Sequence, residues 1–116
     1  MTKEELFKHI KATYDVEPDY PWMDENAVVR HKDTRKWFGL VMNITADKLG
    51  IKSSDRIDVL NVKCDPILIG SLVQEKGYYF AYHMNKNSWI SIDINQVKDD
   101  NLKMLLDMSY ELTSKK

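Results

Sequence analysis

The side chains of this 116-residue chain best able to do chemistry are one cysteine, three histidines and a set of cations gathered in two short segments. Cys64 precedes Asp65-Pro66, a compact helix start, where the helix dipole would lower a thiol pKa and make a nucleophile. The competing reading, a small apolar residue closing a strand, carries more weight because free cysteine is so often simply buried. His9, His31 and His83 are widely spaced and form no local metal-binding pair. No GxSxG, GxxxxGK[ST], HExxH or EF-hand loop occurs, and the four glycines are dispersed, so neither an activated nucleophile nor a phosphate cradle is signalled. The expectation is a chain that is not an enzyme and uses no cofactor or metal.

The cations are more informative. Arg30-His31-Lys32-Asp33-Thr34-Arg35-Lys36 sets four permanent positive charges and a histidine against one acid, and His83 to Trp89 holds His83, Asn85, Lys86 and Asn87 with no acid at all. Such donors suit phosphates and base edges, and Trp89 offers a ring for stacking. Together, residues 28–38 and 83–89 carry Arg30, Lys32, Arg35, Lys36 and Lys86 against Asp33, a local charge of +4 in a chain of net charge −1, which leaves −5 elsewhere. A charged turn is ordinarily just a solvated turn. Two basic turns on a mildly acidic body are nevertheless what a duplex-binding surface requires.

The elements that must position these residues follow from periodicity and punctuation. Thr2 and Glu5 have capping-box spacing, and Leu6, Phe7, Ile10 and Tyr14 share a helical face, predicting a helix that ends near Asp15 before Pro18 and Pro21. Strands are expected over 27–31 and 37–44 with the turn at Asp33-Thr34, and Phe38, Leu40, Met42 and Ile44 alternate onto one face, the core face of a singly covered sheet. A long connection over 45–55 precedes a third strand over 57–64, anchored by Leu60 and Val62. Asp65-Pro66 then starts a second helix running to about Glu75, with Gly77 as its left-handed stop. Strands over 78–84 and 89–94 flank a turn at 85–88, and Asp99 or Asp100 caps a third helix whose buried face holds Leu102, Leu105, Leu106, Ser109 and Leu112. The order α-β-β-β-α-β-β-α, without repeats, glycine-rich turns or strict β-α alternation, predicts an α+β two-layer sandwich with a mainly antiparallel five-stranded sheet.

Composition sets the outer limits. The length suits one domain over residues 1–116, and 43% hydrophobic with 30% charged residues excludes disordered and fibrous classes. A single cysteine forms no internal disulfide, the first residues form no secretion signal, and no run approaches a membrane span, so the expected setting is the cytoplasm without membrane contact.

Three segments carry a resemblance: Asn61-Val62-Lys63-Cys64-Asp65-Pro66, the stretch from His83-Met84-Asn85-Lys86 through Trp89 to Ile92, and Leu105-Leu106-Asp107-Met108-Ser109-Tyr110-Glu111-Leu112. They resemble the signature segments of the MmcQ/YjbR family, and Tyr20-Pro21-Trp22 and the Trp37-Phe38 strand fit its amino-terminal half. The resemblance implies a small bacterial α+β domain with the general fold of type III secretion chaperones, in a family described as predicted double-wing DNA-binding proteins. Carried onto this chain, it makes Lys63, His83, Asn85, Lys86 and Trp89 candidate contacts with duplex DNA, beside Arg30, Lys32, Arg35 and Lys36 from the charge argument. The chain is expected to act as a monomer. The alternative expectation is a protein-interaction module that uses an exposed sheet face or edge.

Overall fold

The computed structural model describes residues 1–114. Helix α1 (Lys3–Tyr14) begins at Thr2, whose hydroxyl accepts from the Glu5 amide while the Glu5 carboxylate accepts from the Thr2 amide, and it ends at Asp15 in the left-handed conformation (φ 57°). Strands β1 (Ala27–Arg30), β2 (Trp37–Thr45) and β3 (Arg56–Lys63) follow, with a 3-10 turn at Ala46–Leu49 inside the long connection. Helix α2 (Pro66–Leu72) starts with the Asp65 carboxylate accepting from the Ile67 amide. Strands β4 (Tyr78–Phe80) and β5 (Trp89–Asp93) and helix α3 (Asp99–Thr113) complete the chain. The five strands form one antiparallel sheet in the order β1-β2-β3-β5-β4, so the α+β architecture and the element order are as the periodicity indicates.

All three helices lie on one face of this sheet. Leu6 and Ile10 from α1, Ile69 from α2, and Leu102, Leu105 and Leu106 from α3 pack on Val29, Val41, Leu60, Val62, Ile90 and Ile92. Gly39 is part of this contact: a Cβ there would stand 2.8 Å from Val29 Cγ2 and 3.3 Å from Leu60 Cδ1, so glycine leaves room for the Val29 and Leu60 side chains of the flanking strands to close over β2.

The phase of β2 differs from the simple alternation. Val29 pairs with Gly39 but Arg30 pairs with Trp37, which leaves Phe38 as the extra residue of a β-bulge. The bulge turns Phe38 to the helix face, while Leu40, Met42 and Ile44 point to the other face with Val28 and Val59. That second face is not open: Trp37, Leu49, Ile57, Tyr82 and Met84 pack onto it and make a smaller second core. The expectation of a singly covered sheet fails because irregular connections supply the second cover.

Three boundaries also move. Helix α2 stops at Leu72 because Gly70 and Ser71 are weak helix formers and the next amides, Gln74 and Glu75, turn back only three residues. Gly77 (φ 95°) therefore shapes the entry to β4 rather than ending a helix. Strand β4 is three residues long because the Tyr82 amide and carbonyl leave the ladder for the Ser91 hydroxyl (3.0 Å) and the Asn61 side-chain amide (2.7 Å). On α3, Lys98 is the cap residue, Asp99 and Asp100 occupy the first turn, and Thr113 is buried where Leu112 was expected, Leu112 being 40% exposed.

One buried hydroxyl joins these parts. Continuing the register from Leu40–Asn61 would place Phe38 opposite Lys63, and there Ser109 of α3 stands between the strands. Its hydroxyl donates to the Phe38 carbonyl (2.7 Å) and accepts from the Lys63 amide (2.9 Å). Ser109→Ala strands both backbone groups and is expected to lower stability by about 2–3 kcal/mol, read as a lower urea midpoint with unchanged slope.

Candidate functional site

Antiparallel pairing decides where the two basic segments lie. Strand β1 ends and β2 begins at the end of the sheet where β3 finishes at Lys63, and Lys63 pairs with Trp89, the first residue of β5. Strand β4 reaches the same end at Phe80, opposite Ile90. The connections 31–36 and 81–88 thus leave the sheet at one end with Lys63 between them, their bases about three strand spacings or ~14 Å apart. Alternation puts Lys63 and Trp89 on the same face as their neighbours Asn61 and Ser91.

The first connection is a tight turn. His31 and Lys36 exchange a backbone bond, the Arg35 amide donates to His31 (3.0 Å), the Asp33 carboxylate accepts from the Thr34 amide (2.7 Å), and Arg35 itself is left-handed (φ 66°). Lys32, Arg35 and Lys36 are exposed. Arg30 is half-buried, donates from Nε to Asp19 (3.0 Å), and places its guanidinium 5.6 Å from the centre of the Trp37 ring. Lys32 pairs with Asp15, which also binds Lys11 at 3.1 Å, and these two lysines, Lys32 first, hold the Asp15 carboxyl down at about 2. The acids arrive because the segment after α1 runs beside β1: Asp19 and Val28 exchange backbone bonds of 2.8 and 2.9 Å. The positive excess legible along the chain is therefore partly answered in space.

His31 is not part of the exposed cationic surface. It is buried, its ring lying 4.3 Å from Tyr110 and 5.2 Å from Phe38 between centres. The Thr113 hydroxyl gives its proton to the Ser109 carbonyl (2.7 Å), so it receives one from His31 Nε2 across 2.8 Å, which places a proton on Nε2.

The second connection folds back over the second sheet face. Asn61 and Ser91 bond to each other (2.5 Å) and to Tyr82, pinning the chain as it leaves β4. Lys86 is exposed along its stem but its ammonium donates to the Ala81 carbonyl (2.7 Å), and Asn85 accepts from Asn87 through its side chain (2.9 Å) and from Trp89 through its carbonyl (2.9 Å). His83 is exposed and left-handed (φ 68°), with its ring 4.1 Å from that of Tyr82. Trp89 is half-buried. Asn85 and Lys86 thus have structural uses, Lys86 in an exposed position, while His83 is exposed.

Cys64 is buried, and desolvation followed by the neighbouring Asp65 charge pushes its thiol up, away from the thiolate that a nucleophile needs. Among the described residues, no three His, Cys, Asp or Glu side chains gather to hold a metal ion. No helix among them is long and apolar enough to cross a membrane.

Sequence reasoning passed over a cleft of about 420 Å³ on the second face, between the 20–26 loop and the 81–88 connection. Trp22, Trp37 and Met84 form its walls, Leu40 and Met42 its floor, and Asp24, Asn26 and His83 its polar rim. The available signal was the apolar second stripe of β2 together with Trp22, read only as a family feature.

A family model described as YjbR matches residues 11–112. The chain is 38% identical over 116 residues to the protein YyaQ of Bacillus subtilis (strain 168), described as uncharacterized, with 97% of this chain and 98% of YyaQ covered. A crystal structure of a Pseudomonas syringae protein superposes with a TM-score of 0.94 at 39% identity, covering 97% of this chain and 99% of that one. A solution NMR structure of a Pseudomonas syringae protein gives 0.87 at 39% identity, over 97% and 93%. A Deinococcus radiodurans protein with a DUF419 domain shares the fold, with a TM-score of 0.70 at 22% identity over 94% and 78%.

Burial pushes the His31 imidazole below its ordinary value of 6.5. The unfolded chain takes up a proton near 6.5 whereas the folded chain resists it, so the stability due to neutral His31 is complete above that pH and is lost as pH falls through the lower folded value. Urea midpoints measured from pH 7.5 downward should therefore decrease below about 6.5. Burial lowers the His9 imidazole as well, so His31→Gln should flatten part of that decrease and the double variant with His9→Gln more of it; an unchanged curve in His31→Gln would remove the assignment.

Proposed function

The chain belongs to the YjbR family, and on that footing we propose that it is a non-enzymatic cytoplasmic module that binds duplex DNA as a monomer through its two hairpin connections. The observation that carries this reading is topological: connections 31–36 and 81–88, separated by about fifty residues of chain, leave one end of the sheet together with Lys63 between them. Their separation at the base, ~14 Å, is on the order of the width of a B-DNA major groove. Arg35 and Lys36 on one side, Lys86 on the other and Lys63 between them supply the phosphate contacts. His83, Asn85 and Trp89 stand where sugar or base edges would lie. Arg30 and Lys32 contribute less, because a phosphate there competes with Asp19 and Asp15.

Four neutralised phosphates give a slope of log affinity against log salt of roughly −3.6, or about a hundredfold weakening between 50 and 200 mM salt. A labelled-duplex titration that finds no binding at low salt, or binding indifferent to salt, removes the proposal.

The acids next to the first connection supply a sharper prediction. Asp15→Asn keeps the left-handed backbone, which asparagine tolerates, and releases Lys32, while Lys11 keeps its pair with Glu17 at 3.3 Å. It is expected to tighten duplex binding severalfold at low salt, while Arg35→Ala or Lys86→Ala weakens it and makes the slope shallower by about one. Unchanged affinity in Asp15→Asn would count against phosphate contact at the first connection.

A further inference from the structure

The cleft on the second sheet face is independent of the DNA reading and has the properties of a small-molecule site. Its volume, about 420 Å³, lies within the range of ligand pockets, and its lining combines apolar walls with a few convergent polar groups. Trp22 and Trp37 meet edge to face, with ring centres 5.7 Å apart and planes at 84°, which makes a two-sided aromatic corner. Trp22 remains 48% exposed, although it stands beside a floor of Leu40 and Met42 that is almost completely covered. An indole left this open beside apolar walls is a surface waiting for a flat partner.

The backbone supports the same conclusion. Among the described residues four other than glycine have positive φ; His83 (φ 68°) lies on the rim of this cleft and Met23 (φ 58°) is next to Trp22 on its opposite side. Met23 is 95% exposed, so no packing of its own side chain compensates for that conformation. Backbone strain of this kind gathers at binding sites, where it fixes the position of neighbouring groups.

The polar groups define the ligand. Asp24 Oδ1 accepts from the Asn26 backbone amide (2.8 Å) and Oδ2 from the Asn26 side-chain amide (3.4 Å), which orients an exposed carboxylate that retains lone pairs for a further N–H donor. Among the described residues no lysine or arginine lines the cleft, the Arg30 guanidinium by the Trp37 ring being paired with Asp19, so a phosphate or carboxylate on the ligand would face Asp24. We propose that the cleft binds an uncharged planar nitrogen heterocycle of the nucleobase class that carries an amino group, stacked in the Trp22–Trp37 corner with its amino N–H donated to Asp24.

The test titrates the full chain with adenine, cytosine, hypoxanthine, uracil, adenosine and adenosine monophosphate, read by tryptophan fluorescence and by amide and indole NMR shifts. Adenine and cytosine should bind saturably with dissociation constants of about 1 mM or tighter, shifting the Trp22 and Trp37 indoles and the His83 and Met84 amides. Hypoxanthine and uracil, which lack the amino group, should bind about tenfold more weakly than their partners, and the monophosphate more weakly than adenosine. Asp24→Asn retains the oxygen that accepts from Asn26 and should cost about tenfold for adenine; Trp22→Ala, at an exposed position, should abolish the indole shifts. No saturation, equal binding of uracil and cytosine, equal binding of adenosine and its monophosphate, or unchanged adenine binding in Asp24→Asn would each overturn the proposal. None of these outcomes alters the salt titration of duplex DNA, so the two readings fail separately.

Discussion

The hydroxyl of Ser109 is spliced into a sheet. Where β2 bulges, the Phe38 carbonyl and the Lys63 amide cannot complete the ladder, and one side-chain oxygen from α3 serves both. Without it, two backbone groups would be buried without partners at the junction of β2, β3 and α3. With it, the bulge is stable and both faces of the sheet acquire their contents. Phe38 turns in among Tyr14, His31 and Tyr110, with ring centres 4.9–5.2 Å away, while Trp37, Leu40 and Met42 turn out to build the second core and its cleft.

A second polar network does comparable work at the same end of the sheet, on its other face. Asn61 and Ser91, both fully buried, hold Tyr82 by its amide and carbonyl and so bend the 81–88 connection over the second face. Several residues of the motif-bearing segments are thereby accounted for as scaffold: Asn61 and Ser91 by this network, Asp65 and Pro66 by the start of α2, Asn85 by a turn, and Ser109 by the ladder. His83 and Lys86 are left as exposed motif side chains, the Lys86 ammonium bonded to the Ala81 carbonyl, and His83 borders both the proposed DNA surface and the cleft.

Charge behaves differently in the chain and in the fold. Arg30 and Lys32 read as part of a basic turn because their acids, Asp19 and Asp15, are 11 and 17 residues away. Once the segment after α1 lies along β1, each cation has a carboxylate beside it. The net charge of −1 is thus distributed as mixed pairs around the first connection, with Arg35 and Lys36 beyond them.

The local signals in the sequence were sufficient for the capping box of α1, the Asp65-Pro66 start of α2, the turn between β1 and β2 and the element order. Each of these depends on residues within about four positions of one another, where backbone geometry and hydrogen bonding leave few choices. The phase of β2 was not legible, because alternation has a period of two and one bulged residue inverts every later side chain. Nor were the cover on the second face, the burial of His31 or the acids beside Arg30 and Lys32. Those features rest on Ser109 reaching Phe38 across 71 residues, Asn61 reaching Tyr82 across 21, and Thr113 reaching His31 across 82. Only the packed chain brings such groups within hydrogen-bond distance, so the residue types come from the sequence and the site they form comes from the tertiary structure.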